Sequence, residues 1–317
     1  MKLSCISLDS IAADAVLPLL RPLVDPGADW VAGAPYEYLP SCASTNTLLK
    51  ERADHGPTGA ALVTDDQTGG RGRLGRHWLT EPGRDLAFSV LLRPRLEPAR
   101  GHLLALATGV AVAEVLEEEL GLRGQVSLKW PNDVLLGGTK VCGILLEASA
   151  GVEGLLWAVA GIGINVNGEP GRMLASLPPE RAAEWQGRPR PVSLKEQLGR
   201  AVPRAPLLAA LLARLTVRWS ALDTAGCVPG LLEEWRSRDA LAGRMVEVFA
   251  GADRSELVVA GEAAGIGEEG QLLVRTASPA RGCAGGTGVA GGAPAAAGGG
   301  AAGLVEVFAG DVSVALP

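Results

Sequence analysis

The stretch 126–147, VSLKWPNDVLLGGTKVCGILLE, constrains the fold of this chain more than any other. Its first apolar run stops at Pro131, whose fixed φ and missing N–H end a strand. Two more apolar runs, 134–136 and 139–147, flank Gly137 and Gly138, the two-residue signal of a β-hairpin. The remaining chain must supply neighbours for that hairpin. Residues 35–39, 60–64, 86–92 and 155–165 read as further strands, and 41–54, 101–120, 193–224 and 226–237 as helices. Strands in hairpin order with helices between them predict an α+β fold, a mixed sheet with packed helices. Residues 168–192, rich in Pro, Arg and Glu, read as a surface loop.

A second unit begins near Leu241. Short strands at 243–251, 257–261 and 271–276, separated by turns, suit a small β-barrel. Residues 277–303 are nearly all Ala, Gly and Pro and cannot bury enough side chain to order themselves. The hexapeptide VEVFAG occurs at 246–251 and again at 305–310, and both copies read as a strand followed by a turn. The expected division is an N-terminal extension (1–34), a large domain (35–239), and a small domain (240–317) with an insert at about 277–303.

At 317 residues and 47% hydrophobic content, the chain can build a substantial core. Its net charge of −6 argues against a general nucleic-acid or membrane-surface binder, so an anionic ligand must be met locally. The five cysteines are far apart and, with the three histidines, make no zinc-type spacing, as expected of a reducing cytoplasm. The N-terminus shows no signal-peptide pattern. The greasy stretches 103–120 and 207–215 fall short of the ~20 apolar residues a bilayer needs, so they read as helices on a sheet and no membrane is expected.

The local cations lie in GGRGRLGR at 69–76, which packs Arg71, Arg73 and Arg76 among four glycines. Successive glycines can turn N–H groups inward as an anion nest, and arginines add bidentate donors. Such a loop is expected to order itself by closing over a ligand. Lys129 and Asp133 flank the Pro131 turn. Lys140 heads an apolar strand, where strict alternation puts Lys140, Cys142 and Ile144 on one face and Val141, Gly143 and Leu145 on the other. Gly143 permits close approach. Ser44-Thr45-Asn46 starts a helix, with Ser44 a candidate N-cap, and could also offer polar groups to a small head group. GIGINVN at 161–167 is not a dinucleotide fingerprint, and there is no Walker A sequence. Each feature has a bland reading of its own: a basic or RNA-contacting turn, a strand end, a snorkelling lysine, a helix cap. Their weight lies in the combination.

Taken in order, Ser44-Thr45-Asn46, Gln67, GGRGRLGR, Trp78, KWPND, Lys140 before GILLE, and GIGINVN resemble the biotin protein ligases, specifically biotin–[acetyl-CoA-carboxylase] ligases lacking a full N-terminal DNA-binding domain. The resemblance spans 36–167. It continues more loosely through GRMVEVFAG, AAGIGEEGQLLVRT and GDVSV, which look like the family's SH3-like C-terminal domain. It implies a class II synthetase-like catalytic domain that uses ATP and Mg²⁺ to convert biotin to biotinyl-5′-AMP and passes biotin to a lysine of a biotin carboxyl carrier protein. Carried over, Ser44, Thr45, Asn46, Gln67, Arg71, Gly72, Arg73, Lys140 and Gly143 would bind biotin. Arg71, Arg73, Arg76, Trp78, Lys129, Asn132 and Asn165 would bind ATP. Lys140, Arg73 and Asp133 would carry the chemistry, and Mg²⁺ would come with ATP rather than on dedicated ligands. The resemblance further implies a cytoplasmic enzyme, a possible homodimer, and no DNA partner, since 1–34 is short for a winged helix-turn-helix. The rival within the fold is a lipoate or octanoyl ligase or transferase.

Overall fold

The computed structural model describes residues 9–314 except Glu153, Ala183, Glu184, Gln186, Gly187, Ala225, Ala252 and 277–302. The expected disorder of the insert therefore lies outside the described residues.

Seven strands form the main sheet: β1 (Tyr36–Cys42), β2 (Ala61–Gln67), β3 (Leu86–Leu92), β4 (Val126–Lys129), β5 (Asp133–Leu136), β6 (Thr139–Ala150) and β7 (Leu155–Ile164). Their order is β1-β2-β3-β7-β6-β5-β4. The β1–β2 pair is parallel and the others are antiparallel, so the sheet is mixed as expected. Gly137 and Gly138 both adopt positive φ, which a two-residue hairpin turn requires and L side chains resist.

Helices α1 (Ala13–Leu20), α2 (Thr45–Glu51), α3 (Leu103–Glu119), α4 (Pro170–Ala175), α5 (Pro179–Ala182), α6 (Leu194–Leu198), α7 (Arg204–Leu222) and α8 (Cys227–Arg236) complete the large unit. By length and composition the stretch Pro98–Glu119, which contains α3, and helix α7 could cross a membrane, yet both are largely buried here, and α3 packs against α7. The helical run expected over 193–224 is two helices. Ser193 and Glu196 form a capping box at the start of α6, and Gly199 ends it in the left-handed conformation. The chain then restarts after Pro203.

Two sequence divisions look different in three dimensions. Residues 9–34, set apart above as an extension, are built into the core: Ile11, Val16 and Leu20 join the cluster that contains α3, α7 and the sheet. The Ala32 N–H donates to Thr216 Oγ1 at 2.9 Å and the Tyr36 hydroxyl to the Ile11 carbonyl at 2.6 Å. Residues 168–192 lie at the surface as expected, but they are not all loop. They contain α4 and α5, and then return to the sheet, where the Lys140 N–H donates to the Arg190 carbonyl and the Val192 N–H to the Lys140 carbonyl.

The second unit is an antiparallel sheet of β8 (Met245–Phe249), β9 (Leu257–Ile266), β10 (Leu272–Arg275), β11 (Leu304–Val307) and β12 (Asp311–Val314), ordered β11-β10-β9-β8-β12. Among the described residues no pairing joins β11 to β12, so the ladder is an open sheet where a closed barrel was expected. Both VEVFAG copies contribute strands, β8 and β11, with their valines buried. The unit is keyed to the large one by Trp130, whose indole N–H donates to the Gly270 carbonyl at 3.1 Å, and by Arg236, which donates to the carbonyls of Ile266 and Gly267.

Candidate active site

One cleft collects nearly all of the residues singled out in the sequence. Ser44, Thr45, Asn46, Gln67, Arg71, Gly72, Arg73, Arg76, Trp78, Lys129, Asn132, Asp133, Lys140 and Gly143 all line it. Two ends of different chemistry can be distinguished.

The first end is neutral and polar. Ser44 caps α2 by accepting from the Thr47 N–H, which turns Thr45 and Asn46 into the interior, where both are buried. Gln67 Oε1 accepts from the Thr45 N–H at 3.0 Å. Ser89 donates to Asn46 Oδ1 at 2.6 Å and lies 2.6 Å from the Thr45 hydroxyl. The Asn46 amide donates to Glu147 at 2.9 Å, and Glu147 also meets Lys50. Every member is fixed by a neighbour, so this end is preorganised to hydrogen-bond an uncharged polar group. Ser89 and Glu147 were not found by sequence reasoning. Ser89 did carry a signal, as the one hydroxyl in the otherwise apolar, fully buried strand LAFSVLL.

The floor is made of glycine. Gly143 and Gly163 pair across β6 and β7. A Cβ on Gly143 would lie 2.8 Å from the Trp78 ring, one on Gly163 would overlap the indole, and one on Gly161 would overlap the Asn46 amide. The close approach these glycines permit is thus used by Trp78 and Asn46.

The second end is cationic. Lys140 Nζ lies 2.6 Å from Asp133 Oδ1 and over the Trp78 ring, 5.6 Å from its centroid. Strict alternation along β6 had separated Lys140 from Gly143. A β-bulge, where Val134 faces Cys142 but Leu135 faces Lys140, inserts one residue and puts Lys140 directly over Gly143. Burial alone would raise the Asp133 carboxyl, but the charges of Lys140 and Lys129 outweigh it and hold Asp133 below the ordinary range. Lys129 is buried, donates to the Val312 carbonyl at 2.6 Å, and is pulled down to about 8 by desolvation.

The glycine–arginine loop does not lie open. Arg71 bridges His77, the Gly72 N–H donates to the Arg76 carbonyl at 2.8 Å, and Leu74 takes φ 59° at the tip. Arg73 donates to the Gly310 carbonyl at 3.3 Å, and burial lowers its pKa. The loop is ordered by its own turn and by the second sheet, where the sequence had suggested order through a ligand. Asn132 spends its amide on the Ile144 carbonyl at 2.7 Å, holding the Pro131 turn against β6. Asn165 does not line the cleft. Its amide donates to the Val192 carbonyl at 3.1 Å and lies 3.5 Å from that of Lys140, which braces the strand carrying Lys140.

Sequence reasoning missed Trp185, Arg188, Asp311 and Val312, which also line the cleft. They come from the segment read as a surface loop and from the small sheet; Asp311 and Val312 fall in GDVSV, which was read as part of the small domain and not as part of a site. With them counted, Arg71, Arg73, Arg76, Lys129, Lys140 and Arg188 face Asp133 and Asp311, six cations against two carboxylates. A formal +4 is therefore concentrated in one cleft of a chain whose net charge is −6. Such a field favours a polyanion and steers it inward.

Known proteins share this sequence and fold. Residues 38–165 match the Biotin/lipoate A/B protein ligase family. Over 233 residues the chain is 35% identical to the biotin–[acetyl-CoA-carboxylase] ligase of Paracoccus denitrificans, covering 73% of this chain and 90% of that protein. It is 32% identical over 235 residues to the bifunctional ligase/repressor BirA of Bacillus subtilis, covering 74% and 67%. The solved biotin protein ligase from Aquifex aeolicus in complex with biotin and ATP matches with a TM-score of 0.65 at 28% identity, over 88% of this chain and 98% of that one. Sequence and fold agree, and the chain belongs to the biotin protein ligases of the biotin/lipoate ligase family.

Proposed function

We propose that the protein activates biotin with ATP and transfers it to a lysine of a biotin carboxyl carrier protein. The observation that carries this reading is a single cleft with a fixed neutral polar end and a +4 cationic end. The polar end suits the uncharged head group of biotin, and the cationic end suits a nucleotide triphosphate. In the first step the biotin carboxylate attacks the α-phosphorus, forming the mixed anhydride biotinyl-5′-AMP as pyrophosphate leaves. In the second, the neutral amine of the acceptor lysine attacks the acyl carbon, AMP leaves, and the amine gives up a proton.

In this reading Ser44, Thr45, Asn46 and Gln67 hold the head group, and Arg71, Gly72 and Arg73 close over the bound acid. Lys140, aimed by Asp133, meets the carboxylate and the charge developing at the α-phosphate. Arg76, Trp78, Lys129 and Asn132 face the nucleotide. Bringing a carboxylate to a triphosphate opposes like charges, and cations already fixed in place lower that barrier without reorganising. As the family resemblance implies, Mg²⁺ would arrive bound to ATP. It would supply charge neutralisation on the leaving pyrophosphate. The second sheet would play the part of the family's SH3-like module.

The test is pyrophosphate release from Mg·ATP with biotin, lipoate or octanoate, for the parent and Lys140→Ala. Release that requires biotin and collapses in the variant supports the reading. Release with lipoate or octanoate but not biotin moves the protein to the sister activity, and silence with all three refutes both.

A further inference from the structure

At the rim of the cationic end three arginines from three separate segments converge on one oxygen atom. Arg76 of the glycine–arginine loop, Arg188 from the segment after α5, and Arg254 from the β8–β9 connection lie 2.6, 3.6 and 2.9 Å from Asp311 Oδ2. All four side chains are largely buried, from 8% exposed for Asp311 to 20% for Arg254. Arg254 holds a left-handed backbone, φ 56°, to reach this point. For a residue with a side chain such a conformation is strained and needs support from its surroundings.

Shared with Arg254, that one carboxylate oxygen cannot also satisfy the forks of Arg76 and Arg188, each with five N–H donors. The shortfall is visible: Nε of Arg76 and Nε of Arg188 are buried with no hydrogen-bond partner among the described residues. Buried donors without acceptors are costly and call for explanation. The cluster also keeps a formal +2 after Asp311 is counted. An anion with more oxygens and more charge than a carboxylate, such as a phosphate group, would supply both deficits.

We propose that Asp311 is a tethered competitor for a phosphate site made by Arg76, Arg188 and Arg254, so that a polyphosphate must exchange with this carboxylate in order to bind. Asp311 begins β12 and pairs with Phe249 of β8, so the competitor is fixed at the rim by the second sheet. The Arg254 hydrogen bond and the Arg76 charge outweigh desolvation and hold the carboxyl at about 2, so it competes as an anion at any physiological pH. The proposal deepens the ligase reading, since it names what limits ATP affinity in that site.

The experiment is calorimetric titration of the full chain with inorganic tripolyphosphate, ATP and biotin, for the parent, Asp311→Asn and Arg188→Gln. Asp311→Asn removes the competing charge and is expected to tighten tripolyphosphate binding by roughly three- to tenfold, with biotin affinity unchanged. Arg188→Gln is expected to weaken tripolyphosphate and ATP by about tenfold, again sparing biotin. Unchanged or weaker tripolyphosphate binding in a folded Asp311→Asn protein overturns the competitor role. Should that variant not fold, parent-like affinity in Arg188→Gln overturns the proposal alone. Failure of the ligase reading looks different: the parent would bind tripolyphosphate yet release no pyrophosphate with biotin.

Discussion

Asp133 and Gly143 are directly paired across the β5–β6 hairpin, and this pairing, with the bulge beside it, lets Lys140 fold back over Gly143 to reach the Asp133 carboxylate at 2.6 Å. The lysine is aimed by its own hairpin. Neither end of the ion pair depends on the mobile-looking glycine–arginine sequence.

Lys140→Ala should therefore do two separable things. It should reduce biotin-dependent pyrophosphate release by at least about 100-fold, the scale of losing a preorganised transition-state cation. It should also leave Asp133 buried without its main partner, at a cost of about 1–3 kcal/mol. Neutralising both, in Lys140→Met with Asp133→Asn, should restore much of the melting temperature and none of the activity. Recovery of activity in the double variant would show that Lys140 acts only as a structural counter-ion.

Gly163→Ala adds a single methyl group where the Trp78 indole lies. It should displace Trp78 and raise KM for biotin and ATP together, with a stability loss of about 1–3 kcal/mol. Trp78→Ala should relieve the stability loss without restoring the kinetics. Thermal melts and steady-state kinetics of the two single variants and the pair provide the check. Parent-like melting of Gly163→Ala would mean that the ring has room to move.

Lys129 titrates at about 8 in the folded protein against an ordinary 10.5. As pH rises through about 8 the cleft loses a cation, so KM for ATP should rise. Stability should move the other way. Between about pH 8 and 10.5 the unfolded chain binds the proton that the folded one has lost, so the contribution of Lys129 to stability increases over that window. Lys129→Met should abolish the alkaline limb in KM. A limb that survives in that variant assigns the titration to another group.

The insert interrupts a hairpin. Arg275 of β10 pairs with Leu304 of β11, and the Thr276 N–H donates to the Gly303 carbonyl at 2.6 Å, so the two ends of the interruption already meet. Replacing 277–302 by a short glycine-rich turn should leave kcat/KM within about threefold of the parent, because the length of a connection whose ends already meet affects stability only weakly. A large loss would give the Ala/Gly segment a role in catalysis or acceptor binding.

Much of this architecture was legible in the sequence. Pro131 ended a strand and Gly137-Gly138 turned one, because these residues act on their own backbone. Ser44 capped α2 for the same reason. The sequence could not show the bulge that moved Lys140 across the strand, since register depends on the partner strand. It could not show that Asn165 turns away from the cleft to bind the Val192 carbonyl, because that acceptor lies 27 residues off. The repeated VEVFAG makes the point most directly. Identical residues made strands with buried valines in both places, but one copy is flanked by β9 and β12 and the other has β10 beside it in the described ladder. Arg188 and Asp311 went unnoticed for the same reason, since their meaning lies in what they meet.

The route by which the cleft is closed has a kinetic consequence. The Lys129 bond to the Val312 carbonyl joins positions 183 residues apart, and the Arg73 bond to the Gly310 carbonyl joins positions 237 apart. Contacts of such separation incur the loop-closure entropy first and gain stability only when the rest of the chain is in place. The β11–β12 segment is short, and its ladder partners belong to the smaller sheet, so it is a natural unit to open by itself. Catalytic competence should then be the first property lost in denaturant and the last regained on refolding, while the Trp130 and Trp219 cores still report a native fold.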